Sequence, residues 1–241
     1  MQTIFHQPEQ GLIAALEPPR GVIALVGGGG KTTLMLRLAR ELAQSGARVI
    51  VTTTTHIFPP EGIPTSNPAT VDAAKKTLAQ DNLVCFGTQA EQGKLSAPSL
   101  SFDDIEPLAD YVLVEADGAK HLPLKAPAEH EPVIPIQTHL VVAVAGLDGA
   151  GQPIREIAFR PALYAGLCGK DERETVTERD IARVLAHPNG QGKNVPQGAR
   201  FAVLLNKADD AERSKAALAI AAELEQTSVE RVVIAALGRQ T

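Results

Sequence analysis

The sequence predicts an α/β fold, an open and mostly parallel sheet with helices on both faces, and three features predict it. Short apolar runs alternate with segments of helical periodicity along most of the 241 residues. Those runs are continuous stretches of Val, Leu, Ile and Ala, the pattern of strands buried on both faces. Aromatic residues make up only 3% of the chain and Trp is absent, so the core is aliphatic, which suits a parallel sheet under Ala-rich helices. The length fits one domain over residues 1–241, with room for an insertion.

Taken in order, residues 21–26 (GVIALV) read as a buried strand that ends in four glycines. Residues 31–45 follow as a helix, with Leu34, Leu38 and Leu42 forming one apolar stripe, and Gly46 stops it. Residues 47–54 (ARVIVTTT) are a second strand rich in β-branched residues. These three make a βαβ unit, hence a parallel pair. Residues 58–68 are rich in Pro, Gly, Ser and Asn and read as a surface loop. A helix over 71–80, a strand over 82–87 and a loop or hairpin over 89–101 follow. Residues 111–114 form a strand running into Glu115-Ala116-Asp117-Gly118. Residues 121–135 contain four prolines and are expected to hold no regular element, and 139–145 are a further strand. Residues 157–198 break the rhythm and read as a helical insertion. It has one helix near 160–167 and another near 178–186, the latter capped by Thr177 with Asp180 three residues on. The order strand 200–205, helix 211–226, strand 231–236 then resumes.

The bulk numbers exclude several classes. A net charge of −5 and a pI near 5.7 argue against nucleic acid as a partner. Cys85 and Cys168 are far apart with no CxxC, which excludes a disulfide framework and a cysteine-rich metal site. Residues 1–11 lack the basic-then-apolar pattern of a signal peptide. The longest apolar runs, 140–145 and 232–237, are too short to span a bilayer. The expected location is the cytoplasm.

The glycines carry the chemistry. A phosphate cradle needs successive backbone N–H groups aimed at an anion, a helix N-terminus behind them, a Lys for the β- and γ-phosphates and a hydroxyl for Mg²⁺. The run Gly27-Gly28-Gly29-Gly30-Lys31-Thr32-Thr33 supplies each part between a strand and a helix, so the fold is expected to be that of a P-loop NTPase. The spacing departs from GxxxxGK[ST], which would need Gly where Leu25 stands. The loop reads instead as the shorter G-x-x-G-K-T-T, a form that resembles the P-loop of Mur-type ligases.

Open parallel sheets bind ligands at the carboxyl ends of their strands. Glu115 and Asp117 stand at one such end, where a carboxylate can hold Mg²⁺, directly or through water, or orient an attacking water. With Lys31 they are the candidate catalytic groups, and Thr32, Glu115 and Asp117 the candidate Mg²⁺ ligands. Asn206-Lys207-Ala208-Asp209 ends another strand and forms an NKxD sequence, in which Asp209 would accept from the guanine edge and the Lys207 stem would pack over the base. The motif favours GTP; the short loop is the argument for ATP. Thr52 to Thr55 and His56 end the second strand, and Thr54 is the candidate to complete the Mg²⁺ shell as a switch residue. A β-branched run would equally suit a plain strand. His121, His130 and His139 could make a metal or oxyanion site, although scattered histidines need no such role. Cys168 reads as a small packed hydrophobe.

With these pieces placed, the chain resembles the YqeC family, a P-loop group named as accessory proteins of selenium-dependent molybdenum hydroxylases. The resemblance rests on VGGGGKTTLM at 26–35, TTTTHI at 52–57, VEADGAKHLPLKAPAEHEPVIP at 114–135, HPNGQGKNVPQGAR at 187–200 and LLNKAD at 204–209. It implies a nucleotide-hydrolysing role in maturing a selenium- and molybdenum-containing client or in a cofactor-assembly step. A more distant similarity is to the HypB, UreG and CobW GTPases, whose E-x-x-G element Glu115 to Gly118 fits. Those proteins often carry metal on a cysteine cluster, and this sequence has none. The expected function is therefore a Mg²⁺-dependent NTPase, GTP favoured, acting as an accessory factor. Its rivals are an ATP-dependent ligase or kinase acting on a small acceptor, and a non-hydrolysing nucleotide-binding module.

Overall fold

In the computed structural model, residues 1–6 and 10–238 are described. The chain opens with β1 (Gln2–Phe5), α1 (Gly11–Leu16), β2 (Gly21–Gly27), α2 (Lys31–Gln44) and β3 (Val49–Thr53). Next come β4 (Thr65–Ser66), α3 (Val71–Gln80), β5 (Leu83–Phe86), the hairpin β6 (Thr88–Gln89) and β7 (Leu95–Ser96), α4 (Phe102–Ile105) and β8 (Tyr111–Glu115). The second half holds β9 (Leu124–Lys125), β10 (Thr138–Gly146), α5 (Ile154–Ile157), β11 (Ala158–Phe159), α6 (Pro161–Cys168), α7 (Glu178–Ala186), β12 (Arg200–Asn206), α8 (Ala211–Leu224) and β13 (Arg231–Ile234).

Nine of these strands form one sheet in the order β1-β13-β12-β10-β2-β8-β3-β5-β4, and its pairings are parallel. The α/β expectation is met, with helices on both faces. On one face α1 and α2 pack with Leu25, Val51, Leu113 and Leu204. On the other, α6, α7 and α8 cover Val26, Ala143, Val203 and Val232, while α3 and α4 cover Ile50, Val84, Val112 and Val114. The α2 stripe is the clearest case of pattern becoming packing. Leu34, Leu38 and Leu42 are 0%, 0% and 1% exposed, each burial worth about 1.5–3 kcal/mol.

The departures from expectation have physical reasons. β1 and α1 precede any recognisable pattern: β1 is a short edge strand beside β13, and half-exposed edges lack a continuous apolar run. The Pro-rich segment, expected to hold no regular element, contributes β9, which pairs in parallel with β11. Two residues between Pro123 and Ala126 suffice, because Ala126 N–H donates to Phe159 O. Residues 157–198 lie between the neighbouring strands β10 and β12, and α6 and α7 seat their apolar faces in the main core. The Thr177–Asp180 capping box is present as the sequence predicts.

Parallel register brings one edge of the sheet to a common level. Leu25 and Thr53 both stand opposite Glu115, Gly27 opposite Val144, and Asn206 opposite Gly146. The carboxyl ends of β3, β8, β2, β10 and β12 therefore meet side by side. Among the described residues, no helix is long and apolar enough to cross a membrane.

Candidate functional site

The glycine loop leaves the end of β2 and leads into α2. Leu25, where the longer loop pattern would need Gly, is a fully buried strand residue, so β2 runs two residues further and the turn is shorter. Three glycines are forced by geometry. Gly27 has φ +94°, and a Cβ there would lie 2.3 Å from Val144 O. Gly29 has φ +74°, and a Cβ there would lie 2.3 Å from Gly146 N; Gly30 has φ +133°, and its Cβ would lie 2.3 Å from Asn206 Nδ2. Any side chain at these positions meets both a steric and a dihedral penalty. No side chain caps α2, whereas Thr70, Thr177 and Asp210 cap α3, α7 and α8. The first N–H groups of α2 thus face outward at the positive end of a helix dipole, the arrangement that receives anions.

Lys31, at the first position of α2, is buried. Its ammonium donates to Gly27 O at 2.6 Å and lies 3.1 Å from Asp117 Oδ1 and 3.9 Å from Glu115 Oε1. Thr32 Oγ1 donates to Glu115 Oε2 at 2.7 Å. The hydroxyl proton is thereby committed to the carboxylate, and the oxygen lone pairs remain for a cation. Burial lifts the Glu115 carboxyl above its ordinary pKa, against the pull of Lys31 and the Thr32 hydrogen bond.

The structure separates the two strand-end acids. Glu115 lines a cleft of about 870 Å³ over the glycine loop. Asp117 is 0% exposed and sits behind it, accepting from Gly27 N–H at 3.1 Å and pairing with Lys125 Nζ at 2.9 Å. Of the two, Glu115 with Thr32 has the geometry of a cation site, while Asp117 holds the loop and two lysines. The residues present thus fit Mg²⁺ at Thr32 and Glu115. Among the described residues there is no cluster of three or more His, Cys, Asp or Glu suited to holding a metal on protein ligands alone.

Lys125, which the sequence did not single out, is the centre of the buried charge network behind the cleft. Its ammonium also lies 2.8 Å from Glu131 Oε2 and donates to Gly118 O at 2.6 Å. Glu131 pairs in turn with Arg160. Burial alone would raise the Glu131 pKa, but hydrogen bonds from Arg160 and Lys125 outweigh it and hold it at about 2. A lysine inside the apolar run LPLKAP was the available signal, because a lone charge in such a run must be paired when buried.

At the other end of the cleft, Asn206 is buried and joins three loops. Its Nδ2 donates to Gly29 O at 2.8 Å, and its Oδ1 accepts from Lys207 N–H and from Leu237 N–H. Lys207 has a left-handed φ of +66°, lines the cleft and pairs with Asp148 at 2.6 Å. Asp209 faces Arg213 at 3.3 Å and is not part of the cleft wall. Gly28 N–H donates to Val144 O at 2.9 Å and Gly29 N–H to Leu122 O at 3.0 Å, while Thr33 lines the cleft and Gly28 does not. Thr54 lines the cleft, its hydroxyl donating to Val133 O at 2.7 Å; Thr52 and Thr53 turn inward to Phe86 O and Glu115 O.

Of the three histidines, His121 and His130 line the cleft. His139 does not; it sits at the amino end of β10, 3.6 Å from Glu106. Cys85 and Cys168 are buried thiols whose pKa burial pushes up to about 12, so both behave as small hydrophobes.

A family model described as "YqeC protein" matches residues 23–162. That stretch holds the glycine loop, Glu115, Asp117, Lys125 and Glu131, and ends before Asn206. An uncharacterised protein of Escherichia coli (strain K12), YqeC, is 36% identical over 220 residues, covering 88% of this chain and 85% of that protein.

Proposed function

We propose that this chain, which belongs to the YqeC family, binds a nucleoside triphosphate with Mg²⁺ and hydrolyses it, GTP in preference to ATP. We assign it the role of an accessory factor in maturing a selenium-dependent molybdenum hydroxylase. One observation carries the binding: an uncapped helix N-terminus, the obligatory glycines Gly29 and Gly30, a buried Lys31 and the Thr32–Glu115 pair line one cleft. The accessory role rests on the resemblance of segments 52–57 and 114–135 to that family.

The residues divide the work. Backbone N–H groups at the start of α2 receive the phosphates, and Lys31 turns from Gly27 O to the β- and γ-oxygens. Asp117 keeps a cationic partner when Lys31 leaves, because Lys125 remains 2.9 Å away. Thr32 and Glu115 would hold Mg²⁺, which would supply charge neutralisation on the phosphates. Thr54 would be the switch residue: its hydroxyl ties segment 52–58 to Val133 O of segment 120–135, and nucleotide state would reposition these two segments against the client protein. Asn206 fixes the loop that carries Lys207, whose stem packs over the base, and Asp209 accepts from the guanine edge in place of Arg213.

Calorimetry with Mg²⁺ and each nucleotide tests the preference. GTP is expected to bind at least about tenfold more tightly than ATP, since a missing partner leaves a buried polar group unpaired. Equal affinities remove the guanine assignment. A second reading has its own support: the cleft continues past the loop to Phe58, His121 and His130, more room than phosphates need. In that reading the γ-phosphoryl passes to a small acceptor, and a phosphorylated product distinguishes it from hydrolysis.

A further inference from the structure

Half of the chain's six histidines, His56, His121 and His130, line this one cleft, together with Lys31, Lys94, Lys120 and Lys207. The whole chain carries a net charge of −5, so the concentration of cationic side chains is local. The acids of the wall do not offset it. Glu115 is committed to Thr32 and Lys31, and Glu131 to Lys125 and Arg160. Lys31 and Lys207 have carboxylate partners. Among the described residues, no carboxylate pairs with Lys94, Lys120, His56, His121 or His130.

All five line the one cleft. The base-reading elements lie on the β12 side of β2, whereas His56 and Phe58 follow β3, Lys94 stands over Phe58, and Lys120 and His121 follow β8, both strands lying on the opposite side of β2. A nucleotide laid from Lys207 to the glycine loop therefore ends with its terminal phosphate toward this side. Two of the five are pre-positioned. Lys94 Nζ stands 5.2 Å from the Phe58 ring centre and Lys120 Nζ 5.5 Å from that of Phe159, contacts that hold an ammonium without neutralising it. Lys120 and His121 both have left-handed backbone, at φ +46° and +63°. Neither is Gly or Asn, and such a pair marks a turn held in place by its surroundings.

We propose that this end of the cleft is a second subsite, which binds a small oxyanion, a phosphate- or carboxylate-bearing molecule, beside the terminal phosphate of the nucleotide. Lys94 and Lys120 supply the charge, and His56, His121 and His130 the further donors. The assignment rests on the nucleotide reading, which fixes what fills the glycine loop.

The test titrates inorganic phosphate into protein already saturated with Mg²⁺ and a non-hydrolysable GTP analogue, saturation being verified first. One phosphate is expected to bind per chain. The Lys94→Ala, Lys120→Ala double variant is expected to weaken it at least about tenfold, as loss of charge-assisted hydrogen bonds does, with analogue affinity kept within about threefold. A Lys75→Ala, Lys76→Ala variant, altered on the exposed face of α3, is expected to bind phosphate as the parent does. Failure of both this analogue and its ATP counterpart to bind overturns the nucleotide reading and this subsite with it. Normal analogue binding without phosphate binding, or equal losses in the two double variants, overturns the subsite alone.

Discussion

At the scale of single residues, charge is arranged so that, among the described residues, no buried ion stands alone. Asp117 lies between Lys31 and Lys125, and Lys125 between Asp117 and Glu131. Each member has a second partner, so removing one leaves the others paired and costs less than the roughly 3–5 kcal/mol of a wholly uncompensated buried charge. The network has a pH signature. Glu131 has a folded pKa of about 2 against an ordinary 4.5. Its contribution to stability is therefore complete above pH 4.5 and is lost as pH falls from there toward 2. Denaturant unfolding across that range is expected to show the gap between the parent and Glu131→Gln narrowing as pH drops. A gap that stays constant would contradict the assignment. Little of this was legible in the sequence: Lys31, Glu115 and Asp117 announced themselves by motif, but Lys125 and Glu131 of the Pro-rich segment meet Arg160 only through the fold.

At the scale of elements, the agreement between pattern and structure follows burial. α2, α3 and the central strands, each with a continuous apolar face, end within one or two residues of where the sequence places them. β1, β4 and β9 are short, lie at edges or outside the main sheet and carry no such face. The glycine loop was legible because its chemistry requires particular residues, and the structure adds why. Gly30 is hemmed in by Asn206, so the loop and the end of β12 are fitted to each other. Gly30→Ala is expected to displace the Asn206 side chain or the loop, costing about 1–3 kcal/mol and lowering the melting temperature. Thermal unfolding of the variant checks this, and an unchanged melting temperature would show that the loop has slack the geometry denies.

At the scale of the whole molecule, a parallel nine-stranded sheet gathers five strand ends at one edge, and the groups that sequence reasoning found in separate places meet there. The glycine loop, the Thr32–Glu115 pair and Asn206 share one cleft. Asp209, turned to Arg213, joins them only if that ion pair opens. The central claim is that the cleft holds a nucleotide by its phosphates through the glycine loop. Calorimetric titration of the parent and of Lys31→Ala with Mg²⁺ and GTP, and again with ATP, tests it most directly. The account predicts saturable one-site binding to the parent and a loss of at least about a hundredfold in the variant, with the variant's fold intact by circular dichroism. A parent that binds neither nucleotide, or a Lys31→Ala protein that keeps full affinity, would contradict it.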